Sequence, residues 1–124
     1  MPTRIGNIAI DCAEVGPMAE FWSRVLDYEK KYLEDTYALL KDPERKGIGV
    51  FIQKVPEPKS GKNRLHIDLL ARDEEAEARR VEELGGTRLR KVEPGDVAEH
   101  DEDCWIVLAD PEGNEFCIVR SGSS

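Results

Sequence analysis

The sequence predicts an α+β domain built from two tandem copies of a strand–helix–strand–strand–strand (βαβββ) module. Apolar and polar residues alternate in eight short segments, which is the pattern of half-buried strands. Each half of the 124-residue chain also contains one segment with helical spacing of apolar residues. Between the halves, residues 56–63 contain two prolines, a glycine and an asparagine, which favour a linker. We therefore predict a single domain over residues 1–124, with module one at about 3–56 and module two at about 64–120.

Module one begins with a strand over residues 4–12. A helix follows from Gly16-Pro17 to about Leu26, because proline suits a first helical turn and the apolar residues recur every three or four positions. Trp22 lies within that apolar stripe, which predicts a core residue. Three further strands are predicted over residues 28–34, 36–41 and 48–55.

Module two begins with a strand over residues 64–71. Leu65, Ile67 and Leu69 fall on one face of this strand, and His66, Asp68 and Leu70 fall on the other. A helix follows with Asp73 as its N-cap, and Gly85-Gly86 ends it. The remaining segments are strands over residues 87–92, 104–109 and 115–120, a polar loop over 93–103 and a tight turn over 110–114.

The two modules can be aligned with an offset of 59 residues. This offset pairs Asn7 with His66 and Glu14 with Asp73, and it matches the starts of both helices. We therefore expect the first strands of the two modules to occupy equivalent positions.

Composition excludes several classes of partner. The formal net charge is −8, so we expect neither nucleic acid nor an anionic membrane as a partner. No apolar run approaches the ~20 residues of a membrane span, and the N-terminus lacks the pattern of a signal peptide. Cys12, Cys104 and Cys117 show no CxxC spacing, which is typical of reduced thiols in a cytoplasmic protein.

The alternation also predicts a ligand pocket. One face of every strand is apolar and must pack under the helices. The opposite face combines aromatic, amide, imidazole and carboxylate groups, a mixture typical of small-molecule sites. Its members are Asn7, Asp11, Phe51, Gln53, His66, Asp68, Trp105, Glu115 and Cys117.

His66 is the strongest single candidate in this set. It is predicted to bind ligand or to act in acid/base catalysis with Asp68, which follows it by two residues on the same face. The alternatives are a structural histidine beside Asp68 or Gln53, or a metal ligand. Trp105 is either a stacking wall of the pocket or part of the core, and Cys117 lacks the local motif of a nucleophile.

Several motifs carry a resemblance to a known family. They are Ile10-Asp-Cys-Ala13, Phe21-Trp22 with Leu26, Val55-Pro-Glu-Pro-Lys59, Lys62-Asn-Arg-Leu-His-Ile-Asp68, and Asp110-Pro-Glu-Gly-Asn-Glu-Phe-Cys117. The chain resembles the vicinal oxygen chelate superfamily of glyoxalases, extradiol dioxygenases, fosfomycin-modifying enzymes and bleomycin-binding resistance proteins, and more narrowly its glyoxalase-like domain proteins. The resemblance implies an open half-barrel sheet with helices outside, a pocket on the concave face and a homodimer.

The resemblance also implies four metal-ligand positions, on the first and last strand of each module. Carried over to this chain, they are Asn7, Gln53, His66 and Cys117. A metal-dependent member would have His or Glu at three of them. We therefore predict a small-molecule binding protein without the usual metal centre and without a cofactor. The alternative is a divalent-metal-dependent lyase, isomerase or dioxygenase.

Overall fold

The structure, a computed structural model, describes residues 3–92 and 105–120. The chain divides into two compact units, Met1–Lys59 and Ser60–Ser124. In the described residues each unit contains one helix and one four-stranded mixed sheet. The predicted loop over 93–103 and the start of the seventh strand at Cys104 lie outside the described residues.

Unit one follows the predicted order of elements. They are β1 (Asn7–Cys12), α1 (Val15–Leu26), β2 (Glu29–Leu33), β3 (Tyr37–Lys41) and β4 (Gly49–Lys54). The strand order in the sheet is β1-β4-β3-β2, with β1 parallel to β4 and the other pairs antiparallel.

Unit two repeats this topology. Its elements are β5 (Ile67–Ala71), α2 (Glu74–Glu83), β6 (Thr87–Val92), β7 (Trp105–Ala109) and β8 (Glu115–Arg120). The strand order is β5-β8-β7-β6, with β5 parallel to β8. Neither sheet is closed, and the prediction of an α+β fold with two βαβββ modules is confirmed.

The core of unit one lies between α1 and one face of its sheet. The apolar stripe of α1 is buried, and its Phe21 and Trp22 rings meet edge to face with centroids 5.3 Å apart. The facing sheet residues are the alternating Ile10, Leu40 and Ile52, all buried. Trp22 is 2% exposed, which confirms the prediction that it is a core residue.

Helix α2 is a largely charged surface helix with a narrow apolar side. The Asp73 side chain accepts a hydrogen bond from the Ala76 backbone N–H at 3.0 Å, as predicted for an N-cap. Ala78 and Val81 are its buried apolar residues. Gly85 has φ of 116°, a backbone conformation that glycine adopts most readily, and it directs the chain out of the helix.

The start of β5 differs from the prediction. The strand begins at Ile67 rather than at residue 64, and Leu65 is 74% exposed rather than on the buried face. The cause is Asn63, whose side-chain oxygen accepts a hydrogen bond from the Glu115 backbone N–H at 3.1 Å. That contact takes the place of a strand–strand hydrogen bond, so His66 lies in the loop just before β5.

Each sheet has a strand that is bulged against its neighbour. The register between β2 and β3 shifts between Lys30 and Tyr32, and the register between β6 and β7 shifts between Arg88 and Arg90. In each case the irregular strand is the last one of the sheet.

Neither α1 nor α2, the helices of the described residues, has the length and apolar character needed to cross a bilayer.

Candidate functional site

Three residues form a row across the polar face of the sheet in unit one, and two of them, Asp11 and Gln53, are predicted site residues. Asp11 of β1 is the Cα partner of Gln53 of β4, and Gln53 is the partner of Tyr37 of β3. The Gln53 side-chain Nε2 donates a hydrogen bond to Asp11 Oδ1 at 2.7 Å. This bond fixes the orientation of the Gln53 amide and brings two of the predicted site residues together.

An aromatic pair lies next to this row. The rings of Tyr37 and Phe51 are stacked, with centroids 5.8 Å apart and planes inclined by 22°. Phe51 is half-buried and Tyr37 is 37% exposed, so the pair presents an aromatic surface. Tyr37 was not among the predicted site residues. The signal that could have found it is the alternation of Tyr37, Leu39 and Lys41 with the buried Ala38 and Leu40.

Asn7 lies at the other end of β1. Its Cα partner is Gly49, and its Oδ1 would be 2.5 Å from a Cβ placed on that glycine. Asp11 lies four positions beyond Asn7 in β1, roughly 13 Å away at the rise of a strand. Asn7 is therefore separate from the Asp11–Gln53 pair.

In unit two, His66 lies beside Glu115. The His66 Nε2 is 3.1 Å from the Asn63 carbonyl oxygen and 3.9 Å from Glu115 Oε1. Glu115 Oε1 is buried and has no hydrogen-bond partner within the described residues. A buried carboxylate oxygen ordinarily has a donor. A protonated imidazole or a donor group of a bound molecule would supply one here.

Asp68, the predicted partner of His66, lies deeper in β5 and pairs in register with Cys117. The contacts that orient His66 are instead those to Asn63 and Glu115. Burial raises the pKa of the Cys117 thiol, and the negative charge of Asp68 raises it further. Cys117 is 5% exposed, so it is a buried neutral thiol rather than an activated nucleophile.

The Cys117 thiol is accordingly expected to react with iodoacetamide much more slowly at pH 8 in the folded protein than in urea. Because folding raises its pKa, its contribution to stability is fully present below the unfolded value of about 8.5 and is lost as the pH rises from there through the higher folded pKa. The measurement is mass-spectrometric peptide mapping after timed labelling, which separates Cys117 from the other cysteines. Equal labelling rates with and without urea would contradict the buried, neutral thiol.

Trp105 begins β7 and is half-buried. Its Cα partner in β8 is Val119, whereas Glu115 pairs with Ala109 at the other end of β7. Along the strand direction, Glu115 therefore lies four positions, roughly 13 Å, away from Trp105. Trp105 does not contribute to the immediate surroundings of the His66–Glu115 pair.

The sheet registers bear on one implied metal position. The offset of 59 residues aligns Ala9 with Asp68, and these two residues pair with Phe51 and Cys117, respectively. Aligning Asp11 with Asp68 instead makes Gln53, the register partner of Asp11, the counterpart of Cys117. Neither a phenyl ring nor a carboxamide is a typical metal ligand, so neither alignment completes the implied set.

The described residues do not supply a full ligand set for a divalent metal. No three or more His, Cys, Asp or Glu side chains within 3–92 and 105–120 are grouped to hold one. His66 and Glu115 are suitable donors but only two in number. A cysteine ligand must be a thiolate, and the raised pKa of Cys117 favours the neutral thiol.

The two βαβββ modules, each with an open mixed sheet, form an α+β fold of the glyoxalase-like type. Residues 7–119 match the family model of the glyoxalase-like domain. The match covers most of the chain, so the chain belongs to the glyoxalase-like domain family, as its motifs predict. Comparison with curated proteins gives no match.

Solved structures support the same fold at low sequence identity. The fosfomycin resistance protein FosX from Listeria monocytogenes, an E126Q mutant complexed with Mn(II) and 1S,2S-dihydroxypropylphosphonic acid, superposes with a TM-score of 0.77 at 13% identity, over 99% of this chain and 94% of that one. A glyoxalase/bleomycin resistance protein/dioxygenase family enzyme from Burkholderia phytofirmans gives 0.74 at 16% identity, over 94% and 98%. A glyoxalase-related enzyme from Fulvimarina pelagi gives 0.73 at 15%, over 95% and 88%.

Proposed function

We propose that the protein binds a small molecule on the polar faces of its sheets and does so without a resident metal. The observation that carries this proposal is the stacked Tyr37–Phe51 pair beside the hydrogen-bonded Asp11–Gln53 pair. Small-molecule sites typically combine an apolar wall with a few oriented polar groups. Both features occur here on adjacent strands of one sheet.

The chemistry of the cluster favours a planar ligand with hydrogen-bond donors. Tyr37 and Phe51 offer ring faces on which a flat molecule can stack. Asp11 is acceptor-only when ionised, so it suits an amine or amide N–H of the ligand. The Gln53 amide, held by Asp11, adds a second oriented group.

His66 and Glu115 support a role for unit two in contacting polar groups of the ligand. The imidazole is partly exposed, and the carboxylate oxygen that faces it lacks a donor among the described residues. This arrangement suits a ligand contact or a proton transfer at His66 Nε2. Asp68 is exposed in β5 near His66 in sequence, and its proposed part is to contact the same ligand rather than the imidazole.

The test is a thermal-shift screen with planar aromatic amines and amides, followed by titration of the hits. Replacing Phe51 with alanine removes a stacking partner, and Gln53→Ala removes a hydrogen bond worth about 0.5–1.5 kcal/mol. Each substitution is expected to weaken binding by roughly 3- to 10-fold. Leu70→Ala, which changes an exposed apolar residue of β5, is the control and should leave the affinity unchanged. Hits insensitive to both site variants would refute this location.

A metal-dependent enzyme is the second candidate, because His66 and Glu115 are common metal-ligand types and one structural relative was solved with Mn(II). Metal analysis of protein purified without chelator separates the two candidates. The binding proposal expects no stoichiometric divalent metal. Stoichiometric metal that is lost in His66→Ala would refute the metal-free binding proposal and support the metal-dependent enzyme.

We further propose that the two units act together as a single domain and that the protein forms a homodimer in the cytoplasm. Cys12 and Cys117 form no disulfide within the described residues, in keeping with a reducing compartment. Elution at monomer size at micromolar concentration would contradict the homodimer.

A further inference from the structure

A cavity in unit one lies at the end of its sheet, where β1 and β4 begin and β3 ends. Its volume is about 230 Å³, several times the ~30 Å³ share of one water molecule in the liquid. Three cationic side chains line it: Lys31 of β2, Lys41 of β3 and Arg45 of the following turn. We call it the basic cavity.

None of these three cations is neutralised by a side-chain ion pair or hydrogen bond within the described residues. Several other basic side chains of the protein are paired; Arg24 and Lys30, for example, both contact the Glu20 carboxylate. Three cations without a salt bridge at one cavity are unexpected in a chain with a net charge of −8. Their mutual repulsion favours the binding of an anion.

Two carboxylates also line the basic cavity, and neither neutralises it. Asp42 accepts hydrogen bonds from the backbone N–H groups of Glu44, Lys46 and Gly47, at 2.8–3.1 Å. These bonds lower the pKa of Asp42 and use its oxygens to close the turn. The other carboxylate, Glu29, is the Cα partner of Lys41 in the β2–β3 register. Three cations against two carboxylates leave an excess of positive charge.

Glycine residues allow the cations to approach the backbone. A Cβ on Gly49 would be 3.3 Å from both Cδ and Nζ of Lys41. Because glycine stands there, the half-buried Lys41 side chain can lie directly across β4. Arg45 adopts a positive φ of 60° in the turn that Asp42 stabilises. Lys41 is therefore positioned by its surroundings, whereas Arg45 is an exposed side chain of the turn that borders the cavity.

From the convergence of these charges and the space between them, we propose that the basic cavity binds a small oxyanion of the phosphate or phosphonate class. Lys41 and Arg45 donate charge-assisted hydrogen bonds to its oxygens, and Lys31 adds a third positive charge. The proposal stands independently of the aromatic ligand site, because the Tyr37–Phe51 rings do not line this cavity.

The test is an NMR titration of the ¹⁵N-labelled full chain with inorganic phosphate at constant ionic strength. We expect saturable shifts of the Gly47 and Gly49 amides. Lys41→Gln should weaken binding about tenfold, the loss expected for one charge-assisted hydrogen bond. Lys46→Gln makes the same charge change in the same turn but away from the cavity lining, and it should change the affinity by less than about twofold.

A second variant keeps the test independent of folding defects at Lys41. If the amide spectrum of Lys41→Gln shows lost structure, Arg45→Gln is titrated in its place and should weaken binding to a similar extent. Non-saturating shifts in the wild type would overturn the proposal, and so would equal weakening by Lys41→Gln and Lys46→Gln. Phenyl phosphate distinguishes the sources of the oxyanion: binding tighter than that of inorganic phosphate, and still weakened by Lys41→Gln, identifies the head group of a larger ligand, and equal binding identifies a free anion.

Discussion

Replacing Trp22 with alanine is expected to lower the free energy of unfolding by about 3–5 kcal/mol, the usual cost of removing a buried aromatic side chain. The ring is almost fully buried in α1 and packs edge to face against Phe21. Its removal leaves a large void that the surrounding helix and sheet can fill only in part. Since whole domains are stable by only about 5–15 kcal/mol, this is a severe loss.

The measurement is urea unfolding followed by far-UV circular dichroism. Trp105 is the only other tryptophan in the sequence, so its fluorescence reports unit two in the same Trp22→Ala sample. Trp22→Phe is the matched control: it retains a ring in the same position and should cost less than half as much. A Trp22→Ala variant within about 1 kcal/mol of the wild type would show that the α1 core does not limit stability.

Replacing Phe116 of unit two with alanine is also expected to lower the free energy of unfolding by about 3–5 kcal/mol. Phe116 is 1% exposed and lies in β8, an interior strand of its sheet. Its Cα partners are Ile67 in β5 and Leu108 in β7, so its side chain packs where three strands meet. The same strand carries Glu115 and Cys117, and loosening it should also speed alkylation of the Cys117 thiol.

The control for Phe116→Ala is Leu70→Ala, which removes an apolar side chain of the same unit that is 68% exposed. Surface substitutions of this kind usually change stability by no more than about 0.5 kcal/mol. Thermal unfolding of the two variants under identical conditions compares the loss of a buried apolar side chain with the loss of an exposed one. Equal losses would contradict the assignment of Phe116 to the core.

Most of the fold follows from local patterns in the sequence. The alternation of Ile8, Ile10 and Cys12 and the helical stripe around Trp22 depend on periods that one buried face imposes. The N-cap at Asp73 is likewise a local hydrogen-bond requirement. The start of β5 was not predictable in this way, because it depends on a contact of Asn63 with Glu115, 52 residues further along the chain.

The candidate site was predictable only at the level of faces. Alternation correctly identifies which side of its strand carries Asp11 and Gln53, but it does not give the register between strands. Register decides that Asp11 meets Gln53 and that Asp68 meets Cys117. It also brings Glu115, rather than Asp68, to His66. The basic cavity escaped prediction because its cations come from β2, β3 and a turn that are adjacent only in the folded sheet.

The bulged strands β2 and β6 have a consequence for how copies of the protein meet one another. A strand at the edge of a sheet has unpaired backbone groups and can template the addition of a strand from another molecule. Both of these edges combine a bulge with consecutive cationic residues, Lys30-Lys31 in β2 and Arg90-Lys91 in β6. The bulge disrupts the regular spacing of the backbone N–H and C=O groups along the edge strand. The positive charges repel the same edge strand of a second copy of the protein. Two open sheets in one small chain are thereby protected at these edges against growing into aggregates.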